Sequence, residues 1–132
     1  MMTVCDFRKK KTAGEKITMV TCYDYTSAAI LNKTDVDCLL VGDSLAMTMH
    51  GFRDTLGATS DMMALHTAAV SRGAKDKFII GDLPFLSYRA GLSDNIAAVR
   101  GLMQAGAHAV KLEGASGNAE FISHLVHSGV PV

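Results

Sequence analysis

Two kinds of apolar pattern alternate along this chain. Ile17–Cys22, Cys38–Val41, Phe78–Ile80 and Ala109–Leu112 are short, nearly continuous apolar runs, the pattern of strands buried in a parallel sheet. Between them, apolar residues recur at helical spacing. A short helix is expected from Ser27 to Asn32 after a capping signal in Tyr23-Asp24-Tyr25-Thr26, and a second from Thr59-Ser60-Asp61 to Gly73 around Met63 and Val70. A third follows the cap Ser93-Asp94, with Ile96, Val99 and Met103 on one face and Gly106 closing it. A fourth starts near Asn118, buries Phe121, Ile122, Leu125 and Val126, and stops at Gly129. Val130-Pro131-Val132 reads as the start of another strand, and residues 1–16 as a polar lead-in.

Strict alternation of strand and helix argues a parallel α/β architecture. Eight βα units need roughly 250 residues, so four units in 132 residues correspond to the first half of a (β/α)8 TIM barrel, all within one domain. The other arrangement, a complete small doubly wound sheet, leaves the fifth strand start unexplained.

Composition narrows the function class. The chain is 48% hydrophobic, enough for a real core, and its 13 basic and 13 acidic residues cancel. Only Arg8–Lys11 is a basic run, expected to be a solvated turn, so neither a nucleic-acid groove nor a membrane-seeking face is expected. The three cysteines share no metal-ligand spacing and fit reduced thiols, and no apolar run approaches the ~20 residues of a membrane span. Together these imply a cytoplasmic location.

The chemistry lies where the strands end. Three apolar runs finish in a carboxylate: Asp43, Asp82 and Glu113. Parallel strands point the same way, so all three acids are expected at the C-terminal end of the sheet, where such folds hold their active sites. Two like charges ~4 Å apart repel by about 4 kcal/mol at an effective dielectric near 20. Three gathered acids would therefore take up protons or recruit a cation. Oxygen-only ligands favour Mg2+ over zinc. Lys111, two residues before Glu113, projects to the same strand face and suits a substrate carboxylate, and Ser44 offers a hydroxyl beside Asp43. The long connection from Asp43 to Ala58 has the length of a functional loop. Within it His50 stays open as a functional group, whereas Met47 and Met49 read as loop packing and His124 and His127 as a solvated helix face.

Several motifs in order, Thr21–Tyr25, Leu40–Leu45, the Thr48-to-Thr59 loop, His66–Val70, Gly81–Phe85 and Val110–Gly114, closely resemble the ketopantoate hydroxymethyltransferase family of pantothenate biosynthesis. The resemblance runs from about Ile17 to Val132. It departs at Ala46, where the family usually has Gly, and at Gly57-Ala58, which replaces Pro-Val. It implies that Asp43, Asp82 and Glu113 bind magnesium, that Ser44 and Lys111 hold the 2-oxo acid, with Asp43 and Asp82 at the same substrate, and that Tyr23 lines the pocket. The implied reaction moves a hydroxymethyl group from 5,10-methylenetetrahydrofolate to 3-methyl-2-oxobutanoate. The family's general base and a substrate-binding histidine lie on later strands, so no catalytic base is expected in this chain, which alone should be a poor catalyst. The family also assembles into homo-oligomers, commonly decamers, and a companion polypeptide completing the barrel is the other expected partner. Competing readings are a related magnesium-dependent 2-oxo acid lyase and an inactive half-barrel assembly module.

Overall fold

The computed structural model describes residues 1–132. Four parallel strands, β1 (Met19–Thr21), β2 (Cys38–Val41), β3 (Phe78–Asp82) and β4 (Ala109–Lys111), form one sheet in the order β1-β2-β3-β4. Consecutive strands are neighbours, as in a barrel wall. The helices are α1 (Val4–Ala13), α2 (Tyr25–Leu31), α3 (Leu45–Thr48), α4 (Ser60–Gly73), α5 (Leu92–Gln104) and α6 (Ala119–His127). None is long and apolar enough to cross a membrane.

The sheet's two faces differ. Leu39, Val41, Ile79 and Val110 point outward into the main core with Met63 and Val70 of α4, Val99 and Leu102 of α5, and Phe121 and Leu125 of α6. The opposite face carries Cys38, Phe78 and Ala109 under Phe7 of α1. Period-two alternation sets this split. The inner face is only half covered, and Leu40 and Ile80 are partly exposed, so β2 is not buried on both sides along its length as its apolar run implies. A hollow of about 430 Å³ opens over it, lined by Phe7, Leu40, Phe78, Ile80, Lys111 and Leu112 among others.

Local sequence accounts for most boundaries. Asp24 caps α2 by accepting from Ser27 N at 2.9 Å, and Thr59 caps α4 by accepting from Met62 N at 3.2 Å. At the far end of α4, Gly73 rests against α2, where a Cβ would stand 2.6 Å from the Tyr25 carbonyl. A side chain there would push the two helices apart.

Several expectations are corrected. The lead-in contains α1, whose start is fixed by Thr3 donating to Asp6 through both N (2.9 Å) and Oγ1 (2.7 Å). The Arg8–Lys11 run lies on this helix and not in a turn. Phe7 anchors it edge-on to Phe78, ring centroids 4.9 Å apart, and Lys10 reaches Asp37. The connection after β2 is not all loop: it holds α3 and a single 3₁₀ turn, Thr55–Gly57. Met47 and Met49 are exposed instead of packed. Helix α5 starts one residue before Ser93 with Gly91 as cap, and buries Asn95 and Leu102 besides Val99. In α6, Val126 faces outward. Val130-Pro131-Val132 is not a strand, although Val110 N donates to the Pro131 carbonyl at 3.0 Å beside β4.

Two contacts at the N-terminal end of the sheet give measurable consequences. Asp37 accepts from Lys10 Nζ at 2.7 and 2.8 Å and from Thr18 N at 2.8 Å. The Lys10 contact first, and then the Thr18 N–H, hold its carboxyl below the usual range. That stability is fully present above the ordinary carboxylate value and is lost as pH falls from there through the lowered folded value. Asp37→Asn should cost about 1 kcal/mol in urea unfolding at neutral pH, a figure discounted for solvent screening, with the difference shrinking in acid. The His108 ring accepts the Ile79 N–H on Nδ1 at 2.9 Å, and the His108 backbone N–H donates to the Ile79 carbonyl at 2.7 Å. That acceptor role requires a neutral ring, and burial pushes the imidazole below its ordinary 6.5. The unfolded chain therefore binds the proton first, so stability is full above that value and erodes as pH drops beneath it. The urea midpoint should fall between about pH 7.5 and about pH 5.5 in the wild type, and fall less in His108→Gln.

Candidate active site at the strand tips

Each strand delivers one polar group at its C-terminal end. Gly42 ends the apolar run of β2 and lets the chain turn tightly over β3: a Cβ there would sit 3.2 Å from Ser44 Oγ and 3.9 Å from Asp82 Oδ2. Asp43 follows, half-buried, and its backbone N–H donates to Asp82 Oδ2 at 3.1 Å. Asp82, the last residue of β3, is 2% exposed. Its register partner on β4 is Lys111, whose Nζ stands 2.8 Å from Oδ1. The ammonium approaches off the hydrogen-bonding direction, so Oδ1 is buried beside a charge yet accepts no directed hydrogen bond. Lys111 Nζ also contacts Glu113 Oε1 at 3.0 Å. Tyr23, just past β1, shares a 2.7 Å hydrogen bond between its hydroxyl and Ser44 Oγ.

The electrostatics follow from burial. Desolvation raises the Asp82 carboxyl, opposed by the Lys111 contact and the Asp43 N–H and reinforced by the neighbouring Asp43 charge. Burial works against the Lys111 ammonium, but Asp82 and Glu113 outweigh it and raise its pKa. Lys111 is therefore the resident cation of the site. Removing one member of such a buried pair typically costs 3–5 kcal/mol, because an uncompensated charge is left behind.

All six residues singled out in the sequence, Tyr23, Asp43, Ser44, Asp82, Lys111 and Glu113, stand at the same end of the sheet. They divide into two groups. Asp43, Asp82, Lys111 and the largely exposed Glu113 are joined in one chain of contacts, whereas Tyr23 and Ser44 form a separate pair at the neighbouring tip. No three His, Cys, Asp or Glu side chains are close enough to hold one metal ion together. The expectation of three acids converging on a shared cation is corrected to this extent: β4 ends at Lys111, and the ammonium, not a carboxylate, fills the space beside Asp82. Asp43 and Asp82 remain as hard oxygen donors, a set that fits Mg2+, which commonly takes one or two carboxylates and keeps its waters.

A second network adjoins the first. His66 of α4 donates its Nδ1–H to the Tyr23 carbonyl at 2.6 Å, and its Nε2 lies 2.9 Å from His50 Nε2. His66 carries no strand-tip signal in the sequence, and only its helical position four residues before Val70 was legible. A cavity of about 510 Å³ between the loops after β3 and β4, lined by Arg89, Asn95, Asn118 and His124 among others, includes none of the strand-tip residues, so the candidate chemistry lies elsewhere.

Comparison with known proteins bears on the family and the fold. The chain is 60% identical over 132 residues to the 3-methyl-2-oxobutanoate hydroxymethyltransferase of Bdellovibrio bacteriovorus, covering 100% of this chain and 50% of that protein. It is 58% identical to the enzyme of the same name from Coxiella burnetii strain RSA 493 / Nine Mile phase I, covering 99% of this chain and 50% of the relative. The chain thus spans about half the length of these relatives. Among solved structures, a phosphonopyruvate hydrolase in complex with oxalate and Mg++ superposes with a TM-score of 0.66 at 13% identity, over 83% of this chain and 38% of that one. A 2,3-dimethylmalate lyase of the PEP mutase/isocitrate lyase superfamily gives 0.62 at 19% identity, over 83% and 39%. These neighbours show the fold: a parallel α/β sheet of the TIM-barrel type, with about the first four βα units in this chain. With residues 1–132 all matched by the model for ketopantoate hydroxymethyltransferase, the chain belongs to the ketopantoate hydroxymethyltransferase family.

Proposed function

We propose that this chain supplies the substrate-anchoring half of an enzyme that transfers a hydroxymethyl group from 5,10-methylenetetrahydrofolate to 3-methyl-2-oxobutanoate, giving 2-dehydropantoate for pantothenate and coenzyme A biosynthesis. The observation that carries the reading is Asp82: a carboxylate 2% exposed at a strand tip, held between the Asp43 N–H and the Lys111 ammonium. Names borne by relatives at 60% and 58% identity support the reaction class.

Asp43 and Asp82 are the residues that would hold Mg2+. When bound, the ion supplies Lewis acidity to the keto oxygen, making the neighbouring C–H easier to deprotonate. Lys111 would pair with the carboxylate of the 2-oxo acid on turning from Asp82. Glu113 holds that ammonium on its outer side. Ser44, oriented by Tyr23, presents a hydroxyl at the same tip. Leu40 and Ile80, lining the hollow with Lys111, offer an apolar wall to the substrate's isopropyl group. On this reading the proton-abstracting base and a substrate-binding histidine come from outside these 132 residues. Assembly into homo-oligomers, or completion of the barrel by a companion polypeptide, and a cytoplasmic location belong to the same proposal. A fold neighbour solved with oxalate and Mg++ adds support, since oxalate and a 2-oxo acid both present oxygens on adjacent carbons.

Asp82→Asn keeps the shape and removes one charge. By calorimetry it should weaken Mg2+ and 3-methyl-2-oxobutanoate binding by about tenfold or more, roughly 1.4 kcal/mol, and unchanged affinities would remove Asp82 from the site. Lys111→Gln separates the two ligands: the 2-oxo acid should bind more weakly, while Mg2+ binds as well or better because a competing cation has left Asp82. Equal loss of both would mean that Lys111 only supports the fold.

A further inference from the structure

We propose a second metal site, formed by His50 and His66 and suited to a borderline transition-metal dication such as zinc or nickel. Their Nε2 atoms stand 2.9 Å apart, one on the segment after α3 and the other on α4. Two imidazole nitrogens on one tetrahedral zinc are about 3.3 Å apart, given Zn–N bonds of 2.0–2.1 Å. The pair therefore needs to open by only a few tenths of an ångström.

The His66 ring is already set for this role. A carbonyl can only accept, so the 2.6 Å contact with the Tyr23 oxygen requires His66 Nδ1 to carry a hydrogen. In the neutral ring the lone pair is then on Nε2, aimed at His50. Metal-binding histidines are characteristically fixed by such an outer hydrogen bond to a carbonyl or carboxylate. With half-buried His66 on a regular helix and exposed His50 on the connecting segment, solvent reaches the pair and water can complete the coordination. The donors are nitrogens, whereas Asp43 and Asp82 offer hard oxygens, so the two sites select different ions. They meet at Tyr23, whose carbonyl holds His66 and whose hydroxyl holds Ser44. An ion on the histidines would tie the segment after α3 to α4 at the edge of the candidate active site.

The test is a titration of tag-free protein with nickel or zinc alone, in excess Mg2+ to occupy the oxygen donors. A Cys5→Ser background removes the one exposed thiol. One ion per chain should bind, and His50→Ala and His66→Gln should each weaken binding by about tenfold or more, while Asp82→Asn leaves it unchanged. His50 is exposed and outside the core, so His50→Ala remains informative if His66→Gln perturbs folding. Wild-type affinity in His50→Ala, or an equal loss in Asp82→Asn, overturns the site. Bound Cu2+ should show nitrogen hyperfine coupling that falls in His50→Ala, and unchanged coupling would likewise overturn it.

Discussion

The Asp82–Lys111 pair is the contact around which this end of the molecule is built. A carboxylate with almost no solvent exposure is tolerable only if its charge is answered, and here the answer comes from the neighbouring strand and from the Asp43 backbone. Both depend on register. Asp82 and Lys111 are paired residues of adjacent parallel strands, so their side chains rise on the same face, and a one-residue slip would turn one of them into the helical layer. Apolar packing on the outer face enforces that register: Leu39, Val41, Ile79 and Val110 must point into the core with the helices. The hydrophobic core thus specifies the electrostatics at its rim.

Much of this was legible in the sequence, for a definite reason. Strands at Cys38, Phe78 and Ala109 showed themselves as continuous apolar runs, and direction alone then placed their terminal acids at one end. Caps such as Thr59 and stops such as Gly73 framed α4 from local chemistry. What escaped was long-range. Helix α1 has few apolar residues, and its fixing contacts, Phe7 to Phe78 and Lys10 to Asp37, bridge positions far apart in the chain. Side-chain competition was equally hidden. Three acids and a lysine can be listed from the sequence, but which of them occupies the space beside Asp82 depends on where β4 ends.

The same division applies to the histidines. His50 stands in a segment that its length marks as functional, while His66 looks like an ordinary position on the amphipathic helix α4. Only the folded chain brings their rings together and ties one of them to the Tyr23 carbonyl. A residue's backbone and side chain can therefore serve different neighbours at once, and Tyr23 does so between β1 and α2.

The Pro131 carbonyl beside β4 has a consequence for how the sheet extends. It accepts the Val110 N–H at 3.0 Å, so that border is already engaged by backbone. At the opposite border, β1 lies exposed along its length. The two margins of the sheet therefore differ in kind: one is already met by the chain's own backbone, and the other faces solvent.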